Sequence, residues 1–317
     1  MAAAAIVKTE GLGRDFGGTR ALDRIDLTLE AGAPIGLVGP NGAGKTTFFS
    51  VMCGFLRPTR GTVEVLGRPP LHRDLHGRVA ILPQDAAFVK GVPVQSQLAM
   101  LAELQGFSAA AARAEAARVL QLVLLADVAK KTPETLSHGM LKRIAIAQAF
   151  LGAPELVLLD EPTAGLDPAT ASEMKNLIRS LDKERTFIVS SHNLQDIEEL
   201  CGSVVILDRG KIVEHRRVSE LVGRTSMLTF RLEAEPPEAI VAKLSSVALV
   251  TRVELGRPGE RRLAVHFREE AEGGGNKTQI AVLQALTAAG VGMIEMTRGQ
   301  SLQDKVIEMT SPNTGSG

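Results

Sequence analysis

Residues 39–47 carry the glycines, the lysine and the threonines of a phosphate-binding loop. The segment reads GPNGAGKTT and follows the short apolar run 35–38. Its glycines allow backbone N–H groups to turn inward around phosphates, while Lys45 can reach the terminal phosphates and Thr46 can offer its hydroxyl to Mg²⁺. A helix that begins at this loop would point its positive end at the anion. The predicted phosphate-binding residues are Gly39, Pro40, Asn41, Gly42, Ala43, Gly44, Lys45, Thr46 and Thr47.

Two acidic residues follow a second apolar run, at 156–159. Asp160 would hold Mg²⁺ directly or through water, and Glu161 would polarise the attacking water as a general base. Gln84, which follows the run 79–82, could reach both the metal and the water from its own strand end. The alternative for a lone glutamine is a solvated loop position. These side chains predict magnesium-assisted hydrolysis of a phosphate bond.

The apolar runs share a pattern that places these residues together. Runs at 35–38, 79–82, 156–159 and 187–189 read as strands buried on both faces, and each ends in polar or glycine residues. Helical segments lie between them, at 46–56, 109–125, 140–150 and 169–181. Such alternation predicts a parallel sheet, and ligands bind at the carboxyl ends of its strands. The polar residues should therefore converge on one edge of the sheet.

Other segments are expected to surround that sheet. The runs 204–207 and 211–214 flank Asp208-Arg209-Gly210, which has the turn chemistry of a hairpin, and we expect this hairpin among antiparallel pieces outside the parallel sheet. The alternating segment 25–29 predicts another strand. Leucines recur at helical spacing in the Ala-rich stretch 92–131, which predicts a helical insertion.

Length and composition divide the chain into about two domains, because it has 317 residues. A composition shift follows Gly223, and we expect one domain over 1–223 with a helical subdomain at about 92–150. We expect a small α+β domain over 224–310, in the order strand, helix, hairpin, helix, strand, short helix. A mobile tail over 311–317 should follow it.

Charge and hydropathy exclude several classes of protein. Lys plus Arg and Asp plus Glu number 36 each, so the formal net charge is zero. A domain that binds a nucleic-acid backbone is usually basic, with a pI above about 9, so we expect no nucleic-acid partner. No apolar run approaches the ~20 residues needed to cross a bilayer, so we expect no transmembrane segment. Cys53 and Cys201 are isolated, which favours reduced thiols and a cytoplasmic protein.

Four segments together resemble the ATP-binding-cassette (ABC) ATPases. GPNGAGKTT, LSHGM, LLDEPTAGLDP and VSSH occur in the order and spacing of that family, over about residues 6–223. The resemblance implies an α/β P-loop NTPase fold of the ABC type, with a parallel core sheet, an antiparallel β subdomain and a helical insertion. The C-terminal α+β domain looks like the extension of the bacterial export-type subgroup.

The resemblance also implies a homodimer or heterodimer that binds ATP and Mg²⁺ between subunits. Ser137 and Gly139 would contact the γ-phosphate of the opposite subunit's ATP, and Asp167 would line that interface. His192 would bridge the γ-phosphate and the opposite subunit. Helix capping is consistent with the role of Ser137. Serine is a good N-cap, and the helix that follows would point its positive end at phosphate.

Two further positions are implied by the family. Phe16 would stack on adenine, the alternative being a core phenylalanine beside Leu12. Gln84 would link the nucleotide to a separate membrane permease, which places the protein peripherally on the cytoplasmic face of the cell membrane.

The chain departs from the family majority in one motif. Most relatives read LSGGQ, whereas His138 replaces a glycine here and Met140 replaces the glutamine. Similar forms are familiar in cassettes that partner export-type permeases, so we expect an exporter. The alternative is a soluble ABC ATPase that acts on ribosomes or DNA, which the single cassette and neutral charge disfavour. A degenerate regulatory module is disfavoured because the nucleotide motifs are all present.

Overall fold

The structure, a computed structural model, describes residues 4–84, 86–181, 185–221, 227–256, 259–268 and 274–298, together with 302, 306, 309 and 310. The chain divides into two compact units, Met1–Arg216 and Arg217–Gly317. The first unit ends seven residues before the boundary expected at Gly223. Part of the short helix expected near the C-terminus, and the whole 311–317 tail, lie outside the described residues.

The first unit alternates strands and helices along most of its length. Its strands are β1 (Ala5–Phe16), β2 (Thr19–Glu30), β3 (Ile35–Val38), β4 (Arg60–Val65), β5 (Val79–Leu82), β6 (Leu156–Asp160), β7 (Thr186–Ser190), β8 (Ser203–Asp208) and β9 (Lys211–Arg217, which ends on the first residue of the second unit). Its helices are α1 (Lys45–Met52), α2 (Val94–Leu104), α3 (Ala109–Leu122), α4 (His138–Ala149), α5 (Pro168–Leu181) and α6 (Leu194–Leu200).

A six-stranded sheet with the order β5-β6-β7-β3-β8-β9 forms the centre of the first unit. Strands β5, β6, β7, β3 and β8 pair in parallel. Every residue of β3, β6 and β7 is buried, because helices cover both faces of a parallel sheet. The carboxyl ends of these strands lie at one edge, as the alternation predicts.

The position of the 204–207 strand differs from the expectation. It lies inside the core sheet and pairs in parallel with β3, with Ile35 opposite Ser203 and Val38 opposite Ile206. The expectation that it belongs to antiparallel pieces outside the sheet is therefore wrong. The hairpin turn suggested that this strand pairs only with β9. Residues 204–207 instead form a continuous apolar run, buried on both faces, like the other core strands.

An antiparallel sheet with the order β2-β1-β4 packs in the same unit. The segment expected at 25–29 is part of the longer β2, whose buried residues alternate with exposed ones. Buried side chains of this sheet share one apolar cluster with α1 and the core strands, including Leu12, Leu22, Phe48, Phe49 and Leu158. Helix α1 thereby links the two sheets, and it ends at Met52, earlier than expected, where Gly54 turns with a φ of +76°.

Residues 94–149 are largely helical, in agreement with the expected insertion. Ser108 caps α3 by accepting from the N–H of Ala111, and Ser137 caps α4 by accepting from the N–H of Met140 at 3.3 Å. The expected helix at 140–150 therefore starts two residues earlier, directly after its capping serine.

The second unit is a small α+β arrangement. Its described elements are α7 (Val218–Leu221), β10 (Met227–Leu232), α8 (Ala239–Ser245), β11 (Val250–Leu255), β12 (Arg262–Phe267), α9 (Gly274–Ala288) and β13 (Met293–Arg298). The four strands form an antiparallel sheet with the order β11-β12-β10-β13. Leu263, Val265 and Phe267 alternate with less buried residues and pack with Leu244 and Leu286 of the helices.

Candidate functional site

A cleft of about 620 Å³ lies at the carboxyl edge of the core sheet. It is lined mainly by three groups of residues that the sequence predicts for the site: the loop 41–47, the acidic pair at the end of β6, and the polar residues after β5 and β7. The lining residues are Ala21, Asn41, Gly42, Ala43, Gly44, Lys45, Thr46, Thr47, Gln84, Asp160, Glu161, Ala164 and His192. The structure therefore brings most of the predicted nucleotide-binding and catalytic residues to one place.

The loop between β3 and α1 requires glycine at positions 39 and 44. A Cβ on Gly39 would lie 2.0 Å from the carbonyl oxygen of Leu207, and Gly44 has a φ of +109° with the carbonyl oxygen of Ala21 just 2.6 Å from its Cβ position. Gly44 immediately precedes α1, so the free N–H groups of the first helical turn face the cleft. This is the arrangement in which a helix N-terminus binds an anion.

Lys45 is the cation of the cleft. Its ammonium group donates to the carbonyl oxygens of Gly39 at 2.7 Å and Pro40 at 3.2 Å, which folds the side chain back over the loop. Burial lowers the pKa of Lys45, while the nearby charges of Glu161 and Asp160 oppose that shift. The lysine is thus held by two loop carbonyls, with two carboxylates near enough to act on its charge.

Asp160 and Thr46 form an oxygen-rich corner of the cleft. The hydroxyl of Thr46 donates to Asp160 Oδ2 at 3.0 Å, and the hydroxyl of Ser190 donates to Asp160 Oδ1. Carboxylate and hydroxyl oxygens are ligands that Mg²⁺ accepts, usually with phosphate oxygens and water completing the shell. In the part of the chain that the structure describes, no group of three or more His, Cys, Asp or Glu side chains could hold a metal ion alone. The corner fits a metal that arrives with a phosphate ligand.

Glu161 is held in an unusual backbone conformation beside His192. Its φ is +53°, a region that costs a non-glycine residue roughly 1–2 kcal/mol. Its N–H donates to the carbonyl and hydroxyl oxygens of Ser190, at 3.2 and 3.1 Å. Its carboxylate Oε2 lies 2.7 Å from Nδ1 of His192. Glu161 is buried whereas the His192 side chain is 66% exposed, so the imidazole reaches outward from the carboxylate.

Three predicted residues lie on a separate surface that does not line the cleft. We call it the signature surface and define it by Ser137, Gly139 and Asp167. The Cβ position of Gly139 is 3.6 Å from Cγ2 of Thr170, and the hydroxyl of Thr170 donates to Asp167 at 2.7 Å. Asp167 also accepts from the N–H groups of Ala169 and Thr170, which caps α5. The bond from the Thr170 hydroxyl is the main cause of the lowered pKa of the Asp167 carboxyl group, and the bonds from these N–H groups add to it.

Phe16 stands apart from both places. It lies at the end of β1, is 42% exposed and does not line the cleft. The guanidinium of Arg14 lies 4.5 Å from the centre of its ring. The alternative of a core phenylalanine is therefore wrong, and stacking on adenine stays a prediction.

Sequence reasoning missed several residues that support the site. Ser190 was noted only as a polar strand end, yet its hydroxyl bonds both Asp160 and the N–H of Glu161. Thr163 and Asp196, also missed, bond each other at 2.8 Å, and Thr163 lies two residues after Glu161. Each of these bonds joins residues about 30 positions apart, so no local motif could reveal them.

Comparisons with known proteins agree with this geometry. The ABC transporter family model matches residues 22–164. The daunorubicin/doxorubicin resistance ATP-binding protein DrrA of Streptomyces peucetius is 31% identical and covers 84% of this chain and 86% of its own length. The bacitracin transport ATP-binding protein BcrA of Bacillus licheniformis is 36% identical over 66% of this chain and 69% of that protein.

A solved structure shares the fold over about two thirds of this chain. CbiO1 from Clostridium perfringens, part of the ABC transporter complex CbiONQ, has a TM-score of 0.62 and 27% identity, and covers 68% of this chain and 90% of that one. Among the residues that the structure describes here, no helix is long and apolar enough to cross a membrane. The phosphate loop, the acidic pair and the relatives together show that this chain belongs to the ABC transporter ATP-binding proteins, the ATP-hydrolysing subunits of that family.

Proposed function

We propose that the chain powers an exporter as a dimer, with each ATP held between the cleft of one subunit and the signature surface of the other. One observation supports this most directly. Lys45, Asp160 and Glu161 line the cleft, whereas Ser137, Gly139 and Asp167 lie together on a surface that does not. A single subunit therefore offers each half of the site in a different place, and a partner would complete both.

The residues of the cleft have distinct roles in this proposal. Lys45 would exchange its loop carbonyls for the β- and γ-phosphates, while Thr46, Asp160 and Gln84 would hold Mg²⁺. The metal, when bound, neutralises charge that develops on the phosphate oxygens. Glu161 would accept a proton from the attacking water, and His192 would orient that carboxylate from 2.7 Å and reach the γ-phosphate.

Docking on a permease is supported by a second cleft in the same unit. This cleft, of about 360 Å³, is lined mainly by apolar side chains, and Phe55 and Leu71 at its rim are 68% and 69% exposed. Large exposed apolar side chains around a groove are typical of an interaction site. Strand β5 contributes Val79 and Ile81 to this groove and ends just before Gln84, which lines the nucleotide cleft. A helix of the permease seated here would therefore lie one strand away from the nucleotide.

Export is supported by the form of the signature segment and by the relatives. The segment His138-Gly139-Met140 resembles forms familiar in cassettes that partner export-type permeases, and DrrA carries resistance in its name. Similarity to DrrA over 84% of this chain extends past residue 223, so it includes part of the C-terminal unit. We place the protein on the cytoplasmic face of the membrane through its permease.

The permease groove can be tested with two matched leucine substitutions. Leu71 in the groove and Leu124 outside both clefts are 69% and 78% exposed, and both have positive φ angles, of +68° and +57°. Aspartate tolerates this backbone region, so neither substitution should unfold the chain. We expect Leu71→Asp to reduce recovery of the co-purified permease about tenfold, since burying an unpaired carboxylate is costly. Leu124→Asp should leave recovery unchanged, and equal recovery from both variants would exclude this groove.

A further inference from the structure

We propose that Asp196 is a positioning residue for ATP hydrolysis: it holds the segment that carries Glu161 against the helix that follows His192. The inference rests on the proposed role of Glu161 as general base. Asp196 lies on α6, four residues after His192 and outside the nucleotide cleft. It acts on the reaction only through other residues.

Both carboxylate oxygens of Asp196 are engaged by other parts of the fold. Oδ2 accepts from the hydroxyl of Thr163 at 2.8 Å, and Oδ1 accepts from the ammonium of Lys175 at 2.9 Å. Thr163 lies two residues after Glu161, while Lys175 lies on α5. Asp196 therefore joins three segments: the one that carries the base, helix α5, and the helix that begins just after His192.

The network is largely buried and carries charge on each side of its ion pair. Asp196 and Thr163 are 8% and 9% exposed, and the side chain of Lys175 is 12% exposed. Lys175 also donates to Glu199 at 2.6 Å, so one cation satisfies two carboxylates of α6. Burial would lower the pKa of Lys175, but its bonds to Glu199 and Asp196 outweigh that effect and raise it. The lysine stays charged, so loss of Asp196 would leave Glu199 as its one remaining ion-pair partner among the described residues.

The backbone of Glu161 explains why such an anchor is needed. A non-glycine residue at a φ of +53° persists only where its surroundings over-determine it. At Glu161 itself, the hydroxyl of Ser190 accepts from the backbone N–H. Two residues further along the chain, the hydroxyl of Thr163 donates to Asp196 and holds the segment again. Without it, Glu161 could relax and lose its 2.7 Å contact with His192.

Helix α6 also positions His192, the partner of Glu161 in that contact. Asn193 caps α6 by accepting from the N–H of Gln195 at 3.2 Å, directly after His192. A shift of α6 therefore moves His192, while a shift of Thr163 moves Glu161. Asp196 fixes the two relative to each other, so its loss should lower the hydrolysis rate and spare nucleotide affinity, which depends on the loop around Lys45.

The test uses the full-length chain and compares Thr163→Val with Thr163→Ser. Valine keeps the shape of threonine but removes the hydroxyl, whereas serine keeps the hydroxyl. We expect Thr163→Val to lower kcat about tenfold with KM for ATP within about twofold, because a hydrogen bond to a charged group is lost. Thr163→Ser should retain kcat within about twofold. Asp196→Ala, which removes the acceptor of the Thr163 hydroxyl, should reproduce the loss of kcat if the valine variant does not fold.

Two further variants separate the possible failures. Glu155→Gln removes a hydrogen bond from Arg78 of 2.9 Å at the opposite end of the core sheet, so it should lower thermal stability without changing kcat. Glu161→Gln should lower kcat by about 10²–10⁴-fold. Wild-type kcat in Thr163→Val, with Glu161→Gln inactive, would overturn the role of Asp196 alone. Full activity of Glu161→Gln would instead overturn the proposed function of the cleft.

Discussion

At the scale of single residues, the site combines side chains that local sequence predicts with others that it cannot. Lys45, Asp160 and Glu161 were identified because their chemistry depends on close neighbours: a glycine loop, a strand end and an adjacent acid. Ser190 and Asp196 bond to those segments across 30 and 33 positions of sequence. Their roles depend on which strands are neighbours in the sheet, and a single sequence does not contain that order in any local pattern.

The first prediction concerns Lys45. Replacing Lys45 with alanine removes the cation that faces the phosphates, and charge-assisted hydrogen bonds are worth roughly 1.5–3 kcal/mol each. We expect ATP affinity to fall about ten- to hundredfold, measured by isothermal titration calorimetry, with hydrolysis nearly abolished. The loop would keep its shape, since Gly39 and Gly44 determine it. An unchanged turnover in Lys45→Ala would contradict the assignment of the phosphate loop.

At the scale of helices and strands, periodicity predicted which elements exist better than where they belong. The core strands followed from continuous apolar runs, and helix α4 followed from its serine cap. Strand β8 was assigned to the wrong part of the fold because its turn to β9 is a hairpin signal, while its parallel pairing with β3 is not local. Strands β1 and β4 were missed; they pair antiparallel across register shifts that interrupt simple alternation.

The second prediction concerns the attachment of α3. Glu115 accepts from Arg118 at 2.6 Å and from the N–H of Gly152 at 2.8 Å, and Arg118 donates to the carbonyl of Phe150. These bonds connect α3 to the segment after α4. The hydrogen bond from Arg118 is the main cause of the lowered pKa of Glu115, with the bond from Gly152 adding to it.

A lowered pKa in the folded state determines the sign of the pH effect. The contribution of Glu115 to stability is present above its unfolded pKa of about 4.3 and is lost as the pH falls through the folded value. Glu115→Gln should therefore lower the melting temperature at pH 7, and the difference from wild type should shrink below about pH 4. Scanning calorimetry at both pH values measures this. A difference that grew on acidification would contradict the assigned pairing.

At the scale of the whole molecule, all the residues of the proposed sites lie in one of the two units. Every residue placed in the nucleotide cleft or on the signature surface lies in the first unit, Met1–Arg216. The second unit has its own apolar core around Leu228, Phe230 and Leu286, so neither unit needs the other to bury its strands. The composition shift after Gly223 was the sequence signal for a domain boundary, and the two compact units meet seven residues earlier, at Arg216 and Arg217.

The third prediction follows from that division. A truncated chain that ends at Gly223 should fold and bind ATP with an affinity within about threefold of the full-length protein, measured by the same calorimetry. Recovery of the permease or the stability of the dimer can fall, because the second unit can add contacts to those assigned to the first unit. Loss of ATP binding in a truncated chain with a cooperative melting transition would contradict the independence of the two units.

The composite site gives the most direct test of the whole account. A Glu161→Gln chain that binds ATP but hydrolyses it slowly should accumulate as an ATP-bound dimer. The matched control is the double variant with Gly139→Asp. In the chain's own fold a Cβ on Gly139 meets only ordinary contacts, the nearest at 3.6 Å, and an acid suits the first turn of a helix. The added carboxylate should therefore harm nothing except the approach of a partner's phosphate.

Multi-angle light scattering of these two proteins, with and without Mg²⁺ and ATP, is the deciding measurement. We expect the Glu161→Gln chain to move from 33.6 kDa to about twice that mass when Mg²⁺ and ATP are added, and the double variant to stay at the mass of one chain. The opposite result is a Glu161→Gln chain that binds ATP yet remains a monomer, both with and without its permease. That result would contradict an ATP site shared between two subunits.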